Sequence, residues 1–179
     1  MSPATNFQKK PKWLIADLRS DHAGELGAVM IYRGILAISS HSDVRAFARA
    51  HLATELQHLD LMEALLPESQ RSKARLPWRL AGWLIGAIPA LVSPAWVYAT
   101  VEAVETFVEE HYTQQIQKMT LQIPTCSLRE TLERCCADEV SHQRDAASRW
   151  NGKPSLGLSV WLKLVSGGSR AAVRVARAF

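Results

Sequence analysis

Apolar residues recur at helical intervals through four long stretches of the chain, and no run alternates apolar and polar positions convincingly enough to predict a strand. The first helix is expected over residues 20–40, an apolar body with few breakers that Ser20 or Asp21 can cap. Ser42-Asp43 reads as a turn and a new N-cap, opening a second helix that runs to about Leu66, where Pro67 stops it. Residues 69–79 read as a basic connector. From Leu80 to Val101 no residue is charged, but Gly82, Gly86, Pro89 and Ser93-Pro94 interrupt the run, which argues against one membrane span. It splits into a Trp-rich apolar piece over 78–92 and a helix over 94–121, with Ser93 as N-cap and Pro94 as first helical residue. Pro124 breaks the chain again. Ser127 with Glu130 forms a capping-box pattern for a further helix, which Asn151-Gly152 ends. The tail over 155–179 is apolar and basic, interrupted by Gly167-Gly168.

Charge sharpens this picture. The net charge is +4, and all 17 acidic residues fall between Asp17 and Glu68 or between Glu102 and Asp145. Residues 1–16, 69–101 and 146–179 are purely basic; in the last, Arg149, Lys153, Lys163, Arg170, Arg174 and Arg177 are expected to face no acid at all. Such asymmetry points to an anionic partner. Interleaved Trp78, Trp83 and long apolar runs suit a lipid surface better than nucleic acid, and no nucleic-acid partner is expected. The three cysteines, Cys126, Cys135 and Cys136, are odd in number and do not form a disulfide framework; they read as packing residues in a reducing compartment. The N-terminal lysines precede no apolar run, so no secretory signal is expected. Residues 1–179 are expected to form one domain, with 1–16 flexible, 76–93 an apolar interfacial insert and 155–179 a basic amphipathic segment.

The chemistry is carried by two Glu-x-x-His motifs, Glu55 with His58 and Glu139 with His142, each preceded by a helical stretch with its own candidate carboxylate, Glu25 and Glu105. Positions i and i+3 share a helix face, so a Glu and a His at that spacing reach one site from one helix. Four carboxylates and two imidazoles on four helices are the ligand set of a ferritin-like di-iron or di-manganese bundle. The expected fold is therefore all-α, a ferritin-like four-helix bundle with additional short membrane-interface helices. Glu55 and Glu139 can bridge two ions, His58 and His142 can take terminal positions, and Glu25 and Glu105 can close the site. Carboxylate oxygens with one imidazole per ion suit iron or manganese. Glu102 and Glu109 share the face of Glu105 and compete with it. Asp138 is either a surface acid or a partner for a ligand histidine. His51 is read as a neighbour of the ligands or a solvent histidine; Tyr32 and Tyr112, each seven residues past a candidate carboxylate, lie two turns along its face; His22 and His41 are read as structural residues near helix ends.

The stretch Asp21-His22-Ala23-Gly24-Glu25-Leu26-Gly27-Ala28 with Ile31-Tyr32 resembles the first ligand helix of the demethoxyubiquinone hydroxylase family. The likeness continues through Glu55-x-x-His58, Val104-Glu105, His111-Tyr112-x-x-Gln115-Ile116 and Glu139-x-x-His142, covering roughly residues 17–179. It implies iron ligands at Glu25, Glu55, His58, Glu105, Glu139 and His142, and so favours Glu105 over its neighbours. It implies that His111 and Tyr112 lie near the quinone and on the electron route from NADH. Leu26, Arg33 and Glu109-Glu110 depart from the family's usual residues, and the second helix lacks the expected aromatic before its Glu.

The resulting expectation is a membrane-associated di-iron monooxygenase that hydroxylates the ring of a polyprenylated demethoxyubiquinol with two Fe ions, manganese being the alternative. It is expected on the cytoplasmic face of the inner cell membrane, as a homo-oligomer that meets O2, the quinone, lipid and other ubiquinone-biosynthesis proteins. The rival readings are a ferritin- or rubrerythrin-like iron-storage or peroxide-scavenging protein, a non-catalytic membrane adaptor, and a sister hydroxylase acting on another quinone or lipid.

Overall fold

The computed structural model describes residues 10–124 and 127–178; residues 1–9, which include part of the segment expected to be flexible, and Cys126 lie outside them. Among the described residues the fold is all-α: α1 Lys12–Ile38, α2 Ser42–Leu65, α3 Arg75–Val92, α4 Pro94–Gln122, α5 Leu128–Ser148 and α6 Leu156–Ala178, with a 3-10 turn at Glu68–Gln70. The chain divides into two compact units. One runs up to Val92 and includes Arg170 onward; the other is Ser93–Ser169, so α6 contributes to both.

In the first unit α1 begins eight residues before its expected start. Leu14 and Leu18 continue the apolar stripe backwards and are fully buried, so packing extends the helix through Lys12. Ser20 and Asp21 are therefore buried interior residues, not caps; Ser20 Oγ donates to the Asp17 carbonyl at 2.7 Å. Arg45 closes the C-terminus of α1, donating to the carbonyls of Leu36 at 2.6 Å and Ser39 at 2.9 Å. α2 spans nearly the expected residues, but its N-cap position is His41, and Ser42 bonds Asp43 rather than capping. Arg71 caps the other end through the carbonyls of Glu63 at 2.8 Å and Leu66 at 3.1 Å.

Residues 75–79, expected in the connector, belong to α3, which also runs through Pro89. Pro77 lies in the first turn, where its missing N–H has no intrahelical partner to lose. α3 lies tightly on α1. A Cβ on Gly82 would strike the Gly27 carbonyl, one on Gly86 the Ile31 carbonyl, and one on Gly34 the Trp83 carbonyl. From Gly27 with Gly82 to Ile31 with Gly86 the contacts advance by four residues on both helices, so α1 and α3 run parallel. Opposite this glycine face α3 exposes Leu76, Leu80, Leu84, Ile88 and Leu91. The end of α6 is held on α1 by Arg177 Nε, 2.8 Å from Asp17 Oδ1, and by Arg19, which donates to the Arg177 carbonyl. Arg177 thus faces an acid distant in sequence, contrary to its expected role as a free cation.

In the second unit α4 begins as expected: Ser93 Oγ accepts from Trp96 N at 3.4 Å and Pro94 is the first helical residue. The capping box before α5 does not form, because Ser127 already has helical φ and ψ of −60° and −21° and its side chain makes no cap bond. Gly152, beyond the end of α5, has φ +121°, a conformation open to glycine. Arg149 pairs with Asp145 at 2.7 Å and lies over the Tyr98 ring, so it too faces an acid. α6 passes unbroken through Gly167-Gly168. Trp161 ties its first half to α4 by an indole N–H bond of 2.9 Å to Thr100 Oγ1.

Candidate metal centre

Each unit places one carboxylate helix beside one Glu-x-x-His helix. In the first, α1 carries Glu25 and α2 carries Glu55 and His58 on one face. A ligand atom from each of the three lies within 4.8 Å of the others, and His58 Nδ1 is 3.8 Å from Glu25 Oε2. In the second, α4 carries Glu105 and α5 carries Glu139 and His142. Their ligand atoms also lie within 4.8 Å of one another, with His142 Nδ1 3.4 Å from Glu139 Oε2. All six residues are between 1% and 6% exposed.

The donor set fits a metal ion. Donors about 2.0–2.2 Å from one ion lie at most about 4.4 Å apart, close to the spread of each triplet. Gathering two carboxylates and an imidazole in a buried space is costly without a compensating cation, and a divalent ion offsets that cost.

Competing acids separate from Glu105 by burial. Glu102 is half-buried and its Oε2 accepts the Trp150 indole N–H at 2.6 Å, Glu109 is half-buried and Glu110 is exposed. Asp138 and His41 are exposed. Tyr112 is fully buried, and the half-buried His111 ring lies between Phe107 and Tyr112, 6.4 Å and 6.3 Å away. His22 is inside α1 rather than near an end; its Nε2 is 3.6 Å from Glu63 Oε1, and burial outweighs that carboxylate to hold its pKa below the usual 6.5. Cys135 and Cys136 form no disulfide; burial pushes the Cys136 thiol up despite its contact with Thr113, as suits a packing residue.

Two associations escaped the sequence reading. His51, fully buried, lies against the Tyr32 hydroxyl, and Glu63 links His22 to Arg71. The first had a signal: in a helix hairpin, residues past Glu25 on α1 come level with residues before Glu55 on α2.

An all-helical chain with two buried carboxylate–imidazole triplets is a candidate metalloprotein of the carboxylate-bundle class. The model of the family described as ubiquinone biosynthesis protein COQ7 matches residues 12–176, and the chain belongs to that family. It is 31% identical over 128 residues to the NADPH-dependent 3-demethoxyubiquinone 3-hydroxylase of Dictyostelium discoideum, covering 70% of this chain and 59% of that one. It is 30% identical over 166 residues to the protein of the same name from Caenorhabditis elegans, covering 89% and 87%. It is 31% identical over 130 residues to the 3-demethoxyubiquinol 3-hydroxylase of Rhodospirillum rubrum, covering 70% and 60%. The matched stretches thus take in less than two thirds of the Dictyostelium and Rhodospirillum proteins.

Proposed function

We propose that this chain is a di-iron monooxygenase that hydroxylates the ring of a polyprenylated demethoxyubiquinol. The observation that carries the reading is the pair of buried Glu and Glu-x-x-His triplets in a chain of this family. Glu25, Glu55 and His58 in one unit and Glu105, Glu139 and His142 in the other are the residues that would hold the metal ions. The carboxylate-rich set favours iron, with manganese the alternative. When bound, the metal pair supplies the reduction of O2 that the side chains cannot perform.

The residues contribute position and dryness. Helix packing fixes the four carboxylates and two imidazoles before the substrate arrives, and buried Tyr112, Gln115 and Met119 on α4 help to exclude water. His111, half-buried beside Tyr112, is assigned to the quinone side and the electron route. The reductant is a reduced nicotinamide; NADH is the expectation from sequence, whereas the names of the Dictyostelium and Caenorhabditis proteins carry NADPH. Among the described residues no helix is long and apolar enough to cross a membrane. The exposed leucines of α3 and the apolar residues Leu156, Val160 and Leu164 of α6 support peripheral attachment to a membrane, which we assign to the cytoplasmic face of the inner membrane. The partners assigned are the quinone, O2, lipid, further ubiquinone-biosynthesis proteins and a second copy of the chain.

The test is anaerobic reduction of the iron-loaded protein followed by O2, with and without a demethoxyquinol analogue, reading metal content and product together. Two irons per chain and one hydroxylated quinone per reducing cycle are expected, and Glu55→Ala or Glu139→Ala should abolish both while helicity persists. O2 uptake without a quinone product redirects the assignment to peroxide or iron chemistry.

A further inference from the structure

One buried pair in the first unit is unused by this chemistry. Tyr32 and His51 are 1% and 5% exposed, and Tyr32 Oη lies 3.5 Å from His51 Nδ1. Phe47 walls the pair, its ring 4.2 Å from His51 and 6.3 Å from Tyr32. In the tautomer with its proton on Nε2, His51 accepts from the phenol through Nδ1. Tyr32 stands two turns past Glu25, about 10 Å along the axis, and His51 about 6 Å before Glu55. The pair therefore flanks the Glu25, Glu55 and His58 triplet on both helices that build it.

A phenol loses an electron readily only if its proton leaves with it, because the oxidised phenol is a strong acid. His51 is a base beside it, and the Phe47 wall lowers the local dielectric, so a short path leads the proton to Nδ1. We infer that Tyr32 and His51 form a reversible one-electron store for the metal centre, which rests on the redox reading above. When a one-electron oxidant derived from O2 arises there without a substrate to consume it, Tyr32 yields one electron to it. The phenolic proton passes to His51 Nδ1, leaving a neutral tyrosyl radical beside an imidazolium. One electron from the reductant and return of that proton restore both side chains. Tyr32 and His51 thus act as positioning and discharge residues rather than on the quinone.

The chain has three tyrosines, so the site can be assigned by single substitutions. The full chain, loaded with redox-inert zinc, is oxidised by a photogenerated ruthenium(III) complex, and the tyrosyl radical is read by its absorbance and electron paramagnetic resonance. The expected signal survives Tyr98→Phe and Tyr112→Phe, disappears in Tyr32→Phe, and falls at least tenfold in His51→Gln, which keeps a hydrogen-bonding group but cannot take the proton. A signal that persists in Tyr32→Phe, or is unchanged in His51→Gln, overturns the inference. In a second arm, reduced iron-loaded protein is mixed with O2 without quinol and freeze-quenched; the Tyr32 signal is expected, and its absence with two irons bound also overturns the inference. Failure to bind iron, read separately by metal analysis, overturns the functional reading while the zinc arm still decides the Tyr32–His51 couple.

Discussion

Gly86→Ala tests the glycine contact that brings α3 onto the helix carrying Glu25. A Cβ at Gly86 would meet the backbone of Ile31, lying 2.7 Å from its carbonyl carbon and 3.0 Å from its Cα. Backbone cannot rotate away as a side chain can, so α3 must retreat by on the order of 1 Å, and dispersion contacts along the seam weaken by a quarter to a half. Overpacking of this kind costs about 1–3 kcal/mol. The alanine recovers about 0.5–1 kcal/mol as the better helix former. The net expectation is a loss of roughly 1–2 kcal/mol, or about 2–8 °C in Tm for a chain of this size. Gly167→Ala is the control: it lies inside α6 with nothing within 4 Å of its Cβ, so only the propensity gain should appear. Urea denaturation followed by helical circular dichroism reads both. If Gly86→Ala is as stable as the parent while Gly167→Ala is stabilised, the close approach of α1 and α3 does not depend on that glycine and the argument fails.

Three further outcomes are expected. Because burial lowers the His22 pKa below 6.5, the unfolded chain binds more protons than the folded one as pH falls past that value; the contribution is fully present above pH 6.5 and lost below it. Denaturation from pH 7.5 to 5 should show that slope and His22→Leu should flatten it; an unchanged slope rules out His22 as its source. Arg177→Ala removes the 2.8 Å ion pair to buried Asp17 and should cost about 1–3 kcal/mol by denaturation, with no change marking the pair as incidental. In vesicle sedimentation, joint Arg170→Gln and Arg174→Gln should weaken binding to anionic vesicles, and Leu80→Asp with Leu84→Asp should weaken it at any salt concentration. Binding unaffected by either pair would remove α3 and α6 from the membrane assignment.

Local chemistry was legible without coordinates. The Ser93-Pro94 start of α4, the Pro67 stop after α2 and the shared face of each Glu-x-x-His depend on neighbours within a turn or two, and the all-α class followed from the same short-range periodicity. Tertiary packing decided the rest. Burial of Leu14 and Leu18 carried α1 back through residues whose polar neighbours read as a cap, and the glycine seam let α3 extend across Pro77 and Pro89. Glu105 parts from Glu102 and Glu109 only through what each meets, since the three share a helix face and differ in burial and in the Trp150 bond. Arg177 reads as a free cation in sequence because Asp17 lies at the other end of the chain; only the folded backbone brings them together. Periodicity and capping are short-range and therefore written in order along the chain, whereas burial and long-range partners belong to pairs of elements, and no single stretch of sequence contains both members.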